Sequence, residues 1–278
     1  MKILGWLTVL MCGALLIFNV SEFPDMGDAN SPANSKQNLS EYFLKKAYHD
    51  TKVPNVVTAV LADYRGYDTM YETAVIFSAG LACFFLLRIF RKKGPKSRFY
   101  RHTPTGVTLR IDEGGKLPEE SDVFKRIDSI WIPHDNIVRI TCRLVVPFIQ
   151  IFALYVIAHG HYSPGGGFQG GVLLGASIIL IAVSNNLRAG IQRMSEKGAA
   201  LMGSAGVLIY AGTAALCLLL GSQFLNYNAL AKLLHIKPVV ARYNGILIVE
   251  IGVALAVMAV MVWIYYNLSS AGKHDEGL

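Results

Sequence analysis

Three stretches of this 278-residue chain set ionisable or helix-breaking residues against long apolar runs. In the last such run, ILIVEIGVALAVMAV, Glu250 stands about seven residues past the expected helix start. That is roughly 10 Å along the axis at about 1.5 Å per residue. A carboxylate at such depth in a bilayer costs about 2.5–3.5 kcal/mol on insertion scales, so it must face protein, a partner or water. Two readings stand: a proton-carrying group, or a neutral Glu hydrogen-bonding between helices.

The second stretch, VPNVVTAVLADYRGYDTMYE, sets Asp63, Arg65, Asp68 and Glu72 where the chain enters another apolar run. If the chain is helical from Asp68 onward, Asp68 and Glu72 share a face, four residues apart. A carboxylate near apolar surroundings needs a compensating cation, and Arg65 is the nearest. The group reads either as an entry relay for protons or cations, or as a charged helix cap at headgroup level.

The third, AHGHYSPGGGFQGG, contains His159, His161, Pro164, Gly165, Gly166, Gly167, Gly170 and Gly171. Pro164 and the three glycines after it cannot continue a helix, so the backbone must turn or unwind. Unwound backbone offers carbonyls and N–H groups to ions or to a neighbouring protein chain. A tight interhelical turn with hydrogen-bonding caps is the plainer account. The two histidines are two residues apart, which does not place them on one helix face, and no third ligand is near. No metal site is assigned. An ordinary imidazole pKa near 6.5 still suits either histidine to proton relay.

These groups need elements to position them, and the composition says which. The chain is 53% hydrophobic and 16% charged, with a mean hydropathy of +0.41. Soluble domains carry about 25% charged residues, so a membrane protein is expected. The net charge of +7 comes from basic residues at the ends of apolar runs and in one loop. That pattern fits membrane orientation and not a nucleic-acid groove. Cys12, Cys83, Cys142 and Cys217 form no C-x-x-C pair and read as small buried hydrophobes. With no H-E-x-x-H, no G-x-S-x-G and no nucleophile beside a base, neither cofactor nor catalytic centre is expected.

A helix of about 20 apolar residues crosses a bilayer. Six runs qualify: 3–20, 69–87, 137–158, 170–187, 199–221 and 244–267. The expected fold is an all-α integral membrane protein with about six transmembrane helices, two and then four. The first run could be a signal peptide, but no small-x-small cleavage site follows it, so a retained span is expected. Basic residues crowd between the second and third runs, which places that loop and both termini in the cytoplasm. Lys232, Lys237 and Arg242 outside violate that rule mildly.

The organisation follows: a two-helix module at 1–95, a basic linker at 96–136 and a four-helix domain at 137–278. Glycines and prolines punctuate the linker, which is expected to have little core of its own. Within it, 119–131 has the pattern of a short amphipathic helix, with Val123, Phe124, Ile127 and Ile130 on one face. A short helix is expected near 39–48. Asn185 and Asn186 should cap helices, Gln150 should bond between helices, and Gly245 and Gly252 should admit a close neighbour.

The segment carrying Asn55, Asp63, Tyr64, Arg65, Gly66, Asp68, Thr69 and Glu72 resembles the E-subunit-like domain of Mrp-type sodium/proton antiporters and related energy-converting membrane hydrogenases, over about residues 50–90. The run His159-Gly160-His161, Ser163-Pro164, Gly165 to Gly167, Phe168 and Gly170-Gly171 is similar to the signature of the antiporter's B-type (MnhB) component, over about 135–268. Gln169 leans toward the hydrogenase-associated relatives. The resemblance implies an accessory membrane subunit of a multisubunit cation/proton antiporter module in the cell membrane. It would work beside larger subunits, with Na+ or H+ passing near Glu250, Glu72, Asp68, Asp63, Arg65, His159 and His161. Membership of a hydrogenase-linked complex and a purely scaffolding role are the alternatives it leaves.

Overall fold

The computed structural model describes residues 2–28, 31, 39–88, 97–112, 123–126 and 136–270. Among them, five helices are long and apolar enough to cross a membrane: Gly66–Leu87, Asn136–His159, Gly167–Ser184, Glu196–Leu219 and Pro238–Ser269. They lie in α4 (Gly66–Arg88), α5 (Asn136–His159), α6 (Gly167–Ser184), α8 (Glu196–Leu219) and α10 (Pro238–Ser269). Ahead of them run α1 (Lys2–Ser21), α2 (Leu39–Thr51) and the single-turn α3 (Val56–Ala59). The short helices α7 (Leu187–Arg193) and α9 (Leu230–Leu234) fill connections. α1 contributes a shorter apolar stretch, Gly5–Ser21, whose large side chains are exposed.

α10 is the axis of the structure. Of its most apolar window 72% is buried inside the protein, against 11% for α4 and 17% for α5, which lie at the periphery. Small residues let the neighbours of α10 come close. A Cβ on Gly167, Gly171 or Gly175 of α6 would meet the carbonyl oxygen of Glu250, Ala254 or Met258 at 2.0, 2.7 and 3.2 Å. Both series advance by four residues, so one stripe of α6 lies on one stripe of α10, backbone to backbone. Gly206 of α8 meets Gly252 and Ala256 in the same way, and Gly245 receives the ring of Tyr227. The expected role of Gly245 and Gly252 is observed. Gly170 faces the other side, against Ala153 and Ile157 of α5.

The polar residues behave as their chemistry requires. Asn186 caps α7 by accepting from the Ala189 N–H, Asn185 ends α6, and the Gln150 amide donates to Ser177 across α5 and α6. The expected short helix is α2.

Two expectations about the linker are corrected. Its described residues form an antiparallel sheet, β1 (Ser97–His102) between β2 (Thr108–Asp112) and β3 (Phe124–Arg126). Tyr100 is buried in it. The membrane-crossing part is helical as expected, and this small sheet is the addition to it. Residues 124–126, expected within an amphipathic helix, are β3; pairing with β1 gives their backbone N–H and carbonyl groups partners that an isolated surface helix of that length would struggle to keep. The rest of 119–131 lies outside the described residues, Val123 apart, as do the basic residues at 91–96. Of the four cysteines expected to be buried, Cys217 is; Cys12 is exposed, because α1 presents its apolar residues outward, and Cys83 and Cys142 are half-buried on the peripheral helices α4 and α5. Among the described residues, no group of His, Cys, Asp or Glu is arranged to hold a metal.

Candidate functional site

The site begins where the chain before α4 docks on the turn after α5. That turn leaves carbonyls without helical partners, as its proline and glycines require. Asn55 and Thr58 take them up. Asn55 donates its side-chain amide to the carbonyls of Gly160 (2.9 Å) and Ser163 (2.8 Å), and its backbone N–H to that of His161 (2.9 Å). Its Oδ1 accepts the N–H of Val57 at 3.1 Å, capping α3. Thr58 donates its hydroxyl to the Gly160 carbonyl at 2.8 Å. The exposed carbonyls that the sequence offered to ions thus anchor the N-terminal segment.

α3 then widens into a π-helical turn, Val60–Tyr64, closed by the Arg65 N–H on the Val60 carbonyl at 2.7 Å. Such turns leave carbonyls short of partners. Here Tyr227 donates to the Ala62 carbonyl at 3.0 Å and Thr69 to that of Leu61 at 2.9 Å. Tyr210 donates to the Gly66 carbonyl at 2.9 Å. Both tyrosines come from the C-terminal half of the chain and are wholly buried.

Asp63 sits in this turn with its side chain 4% exposed and faces Arg242 of α10, at 2.6 Å from Nε and 2.5 Å from a terminal nitrogen. Burial pushes the Asp63 carboxyl above its ordinary range, and the guanidinium offsets only part of that. Arg242 also lies over the Tyr64 ring, 5.4 Å from its centroid, while the Tyr64 hydroxyl donates to Asp50 at 2.7 Å. Burial disfavours ionised Asp50, yet hydrogen bonds from His49 and Tyr64 hold its carboxyl below the ordinary value. Desolvation first, and then Asp50, drive the Tyr64 phenol upward.

Glu250 lies beneath the glycine turn. Gly166 has φ +135°, a left-handed backbone that favours glycine, and a Cβ there would lie 2.9 Å from Glu250 Oε1. Glu250 Oε2 is 3.9 Å from His161 Nε2, beyond hydrogen-bond reach. Glu250 is 8% exposed and His161 1%, and among the described residues neither of those two atoms has a hydrogen-bond partner. Burial holds the His161 imidazole below its ordinary pKa, and its ring meets Tyr243 edge-on at 4.3 Å.

On its other side Glu250 lines a cavity of about 200 Å³ shared with Glu72 and Thr73 of α4, Thr58, Thr69 and Tyr210. The two carboxylates singled out from opposite halves of the sequence thus open into one space. The remaining candidates lie elsewhere. Arg65 pairs with Asp68 at 2.5 Å with both side chains more than half exposed, as a surface cap would. Arg65 therefore does not compensate Glu72, because the Asp68 carboxylate one turn closer takes it. His159 stacks between Tyr155 and Tyr162, away from Glu250.

Sequence reasoning misses Arg242, Tyr210, Tyr227 and the anchoring role of Asn55. It places Arg242 in an outer loop, whereas α10 starts at Pro238 and carries it. Proline at the first helical position is the available signal. Nothing in sequence marks which tyrosines will meet a distant carbonyl.

The fold and the site together define a multi-pass membrane protein in which the segment before α4 is hydrogen-bonded to the later helices beside a partly open cavity, lined by the buried Glu250 and the exposed Glu72. Residues 137–263 match a family described as a domain related to the MnhB subunit of Na+/H+ antiporter, and residues 30–98 match MbhE, the family of the MBH E-type subunits. The two matches follow one another along the chain, which is a multi-pass protein of the cell membrane. A relative from Rhizobium meliloti (strain 1021), named as a probable A/B component of a K(+)/H(+) antiporter, is 27% identical over 84% of this chain, which spans 22% of that relative's length. The mnhB2 protein of Staphylococcus aureus (strain Newman), named as a component of an antiporter, is 29% identical over 49% of this chain and 95% of its own. A solved Mrp complex from Dietzia sp. DQ12-45-1b contains a chain with the same fold, at TM-score 0.58 and 24% identity, over 97% of this chain and 26% of that one.

Proposed function

We propose that this chain is an accessory membrane subunit of a multisubunit cation/proton antiporter module and lines part of its Na+ or H+ path. The observation that carries the reading is the single cavity between Glu72 and Glu250. Ionisable residues inside a membrane are costly and are retained mainly where they conduct or bind. The N-terminal module's place in this reading is to bring Glu72 to Glu250, through the contacts of Asn55, Thr58 and Asp63. We place both termini and the basic segment between α4 and α5 on the cytoplasmic side, following the positive-inside rule. Larger antiporter subunits are the partners, with no catalytic centre in this chain.

The test uses the assembled complex in inverted vesicles. Glu250→Gln and Glu72→Gln should each lower sodium- or potassium-driven proton movement at least tenfold with complex abundance unchanged on native gels. Full exchange in both variants at normal abundance would reject the path and leave a scaffold. A second setting, a membrane-bound hydrogenase or related oxidoreductase, is favoured by the MbhE match alone. Isolation of the intact particle distinguishes the two by whether redox subunits accompany the chain.

A further inference from the structure

The two oxygens of Glu250 face different surroundings. Oε2 is enclosed and looks toward His161 Nε2 at 3.9 Å, with neither atom engaged among the described residues. Oε1 lies against Gly166, which lines with Glu250 the cavity that Glu72 shares. The hydroxyls on that wall are committed in one direction. Thr58 donates its proton to Gly160, Thr69 to Leu61, Thr73 to the Thr69 carbonyl and Tyr210 to Gly66. A hydroxyl has one proton to give, so each of these oxygens offers only lone pairs to the space. Two carboxylates and a set of oxygen acceptors stand in an otherwise largely apolar wall with no Lys or Arg among the described residues, and oxygen donors of this kind are those that hard cations prefer. The volume admits a partly hydrated monovalent ion.

We propose that Glu250 and His161 together store one proton, and that its presence excludes a monovalent cation from the cavity between Glu250 and Glu72. This deepens the path reading and rests on it. With one proton on the pair, on Oε2 or on Nε2, the pair is neutral overall. When that proton leaves to water, the O–H or N–H bond on the pair breaks as a new O–H bond forms on the water, no electrons transfer, and the carboxylate charge is left to a cation. One cation replaces one proton. The titratable groups that face the pair are Glu72 from α4, Tyr210 from α8 and, edge-on to His161, Tyr243 of α10. The start of α6 at Gly167, whose cap Gly166 lies against the carboxyl, adds partial positive charge beside it.

The experiment measures proton movement by the intact complex against Na+ and, separately, K+ at pH 6 to 9. Competition by one proton makes the half-saturating cation concentration rise about tenfold for each pH unit of acidification, once the pair is mostly protonated. A half-saturating concentration independent of pH for both ions overturns the proposal, and this arm needs no variant. In His161→Gln complexes of normal abundance the steep region should move by about one pH unit or more, while an unmoved profile also overturns it. If Glu250→Gln and Glu72→Gln leave exchange intact, the path reading itself fails. If they abolish exchange but the pH profiles stay flat, only the proton–cation exclusion fails.

Discussion

Arg242, one turn into the longest helix, closes on Asp63 in the π turn with two of its nitrogens at 2.5 and 2.6 Å from one carboxylate oxygen. The residues are 179 positions apart in the chain, and the contact ties the N-terminal module to the C-terminal domain. Its strength lies in what breaking it exposes. A buried ion pair adds little net stability over an apolar substitute, but removing one member strands the other charge.

Arg242→Met should therefore destabilise the chain by about 3–5 kcal/mol, because the Asp63 side chain, 4% exposed, loses its only cation among the described residues. Asp63→Leu combined with Arg242→Met should recover much of that loss. Thermal unfolding of the detergent-solubilised complex checks both, and equal losses in the single and double variants would argue against the pair as a stranded-charge device.

The glycines give a prediction with an internal control. Ala at Gly167 would set a methyl 2.0 Å from the Glu250 carbonyl oxygen, so α6 must withdraw from α10. Overpacking of this kind costs about 1–3 kcal/mol, and here it also opens the turn above Glu250. Ala at Gly212 of α8 meets nothing within 4 Å and should be neutral or stabilising by about 0.5–1 kcal/mol. Complex yield from equal expression should fall for the first substitution and hold for the second.

What the sequence disclosed and what it concealed divide along physical lines. Long apolar runs announce helices because only a helix satisfies its own backbone in lipid, so α4, α5, α6, α8 and α10 were all legible within a few residues apart from the early start of α10. Glu250, Glu72 and the glycine turn stood out because each is costly where it stands. That Glu72 and Glu250 share a cavity was not legible, since the meeting depends on Asn55, Thr58 and Arg242 docking one module on the other. The small sheet at 97–126 was hidden for another reason. Its strands run from three to six residues, and the one alternation among them, Leu109 and Ile111 in β2, is too short to mark a sheet.

Tyr227 and the π turn yield a further expectation. Tyr227→Phe keeps the ring against Gly245 but removes the donor to the Ala62 carbonyl, leaving a buried acceptor unpaired. The loss should be about 1–3 kcal/mol. It should appear as faster proteolysis or hydrogen exchange in residues 56–66, with the core of α10 unchanged. Uniform loosening across both would mean that Tyr227 acts through packing.

The last expectation concerns acid. His161 is 1% exposed, and burial lowers its imidazole pKa below the ordinary value of 6.5. The unfolded chain therefore binds a proton more readily than the folded one, and stability rises with pH across this range. The contribution is complete above about 6.5 and is lost as pH falls through the depressed folded value. Thermal stability of the solubilised complex should thus decline below about pH 6.5, and His161→Gln, which has no proton to gain, should flatten that decline. The Asp63 carboxyl works in the opposite sense: burial raises it, so its share of stability is present in acid and falls as pH rises through its folded value. An Asp63→Asn background removes that opposing slope. If the acid-side decline persists unchanged in Asp63→Asn, His161→Gln double variants, the imidazole is not its source, and the turn over Glu250 is insensitive to the charge of its own histidine.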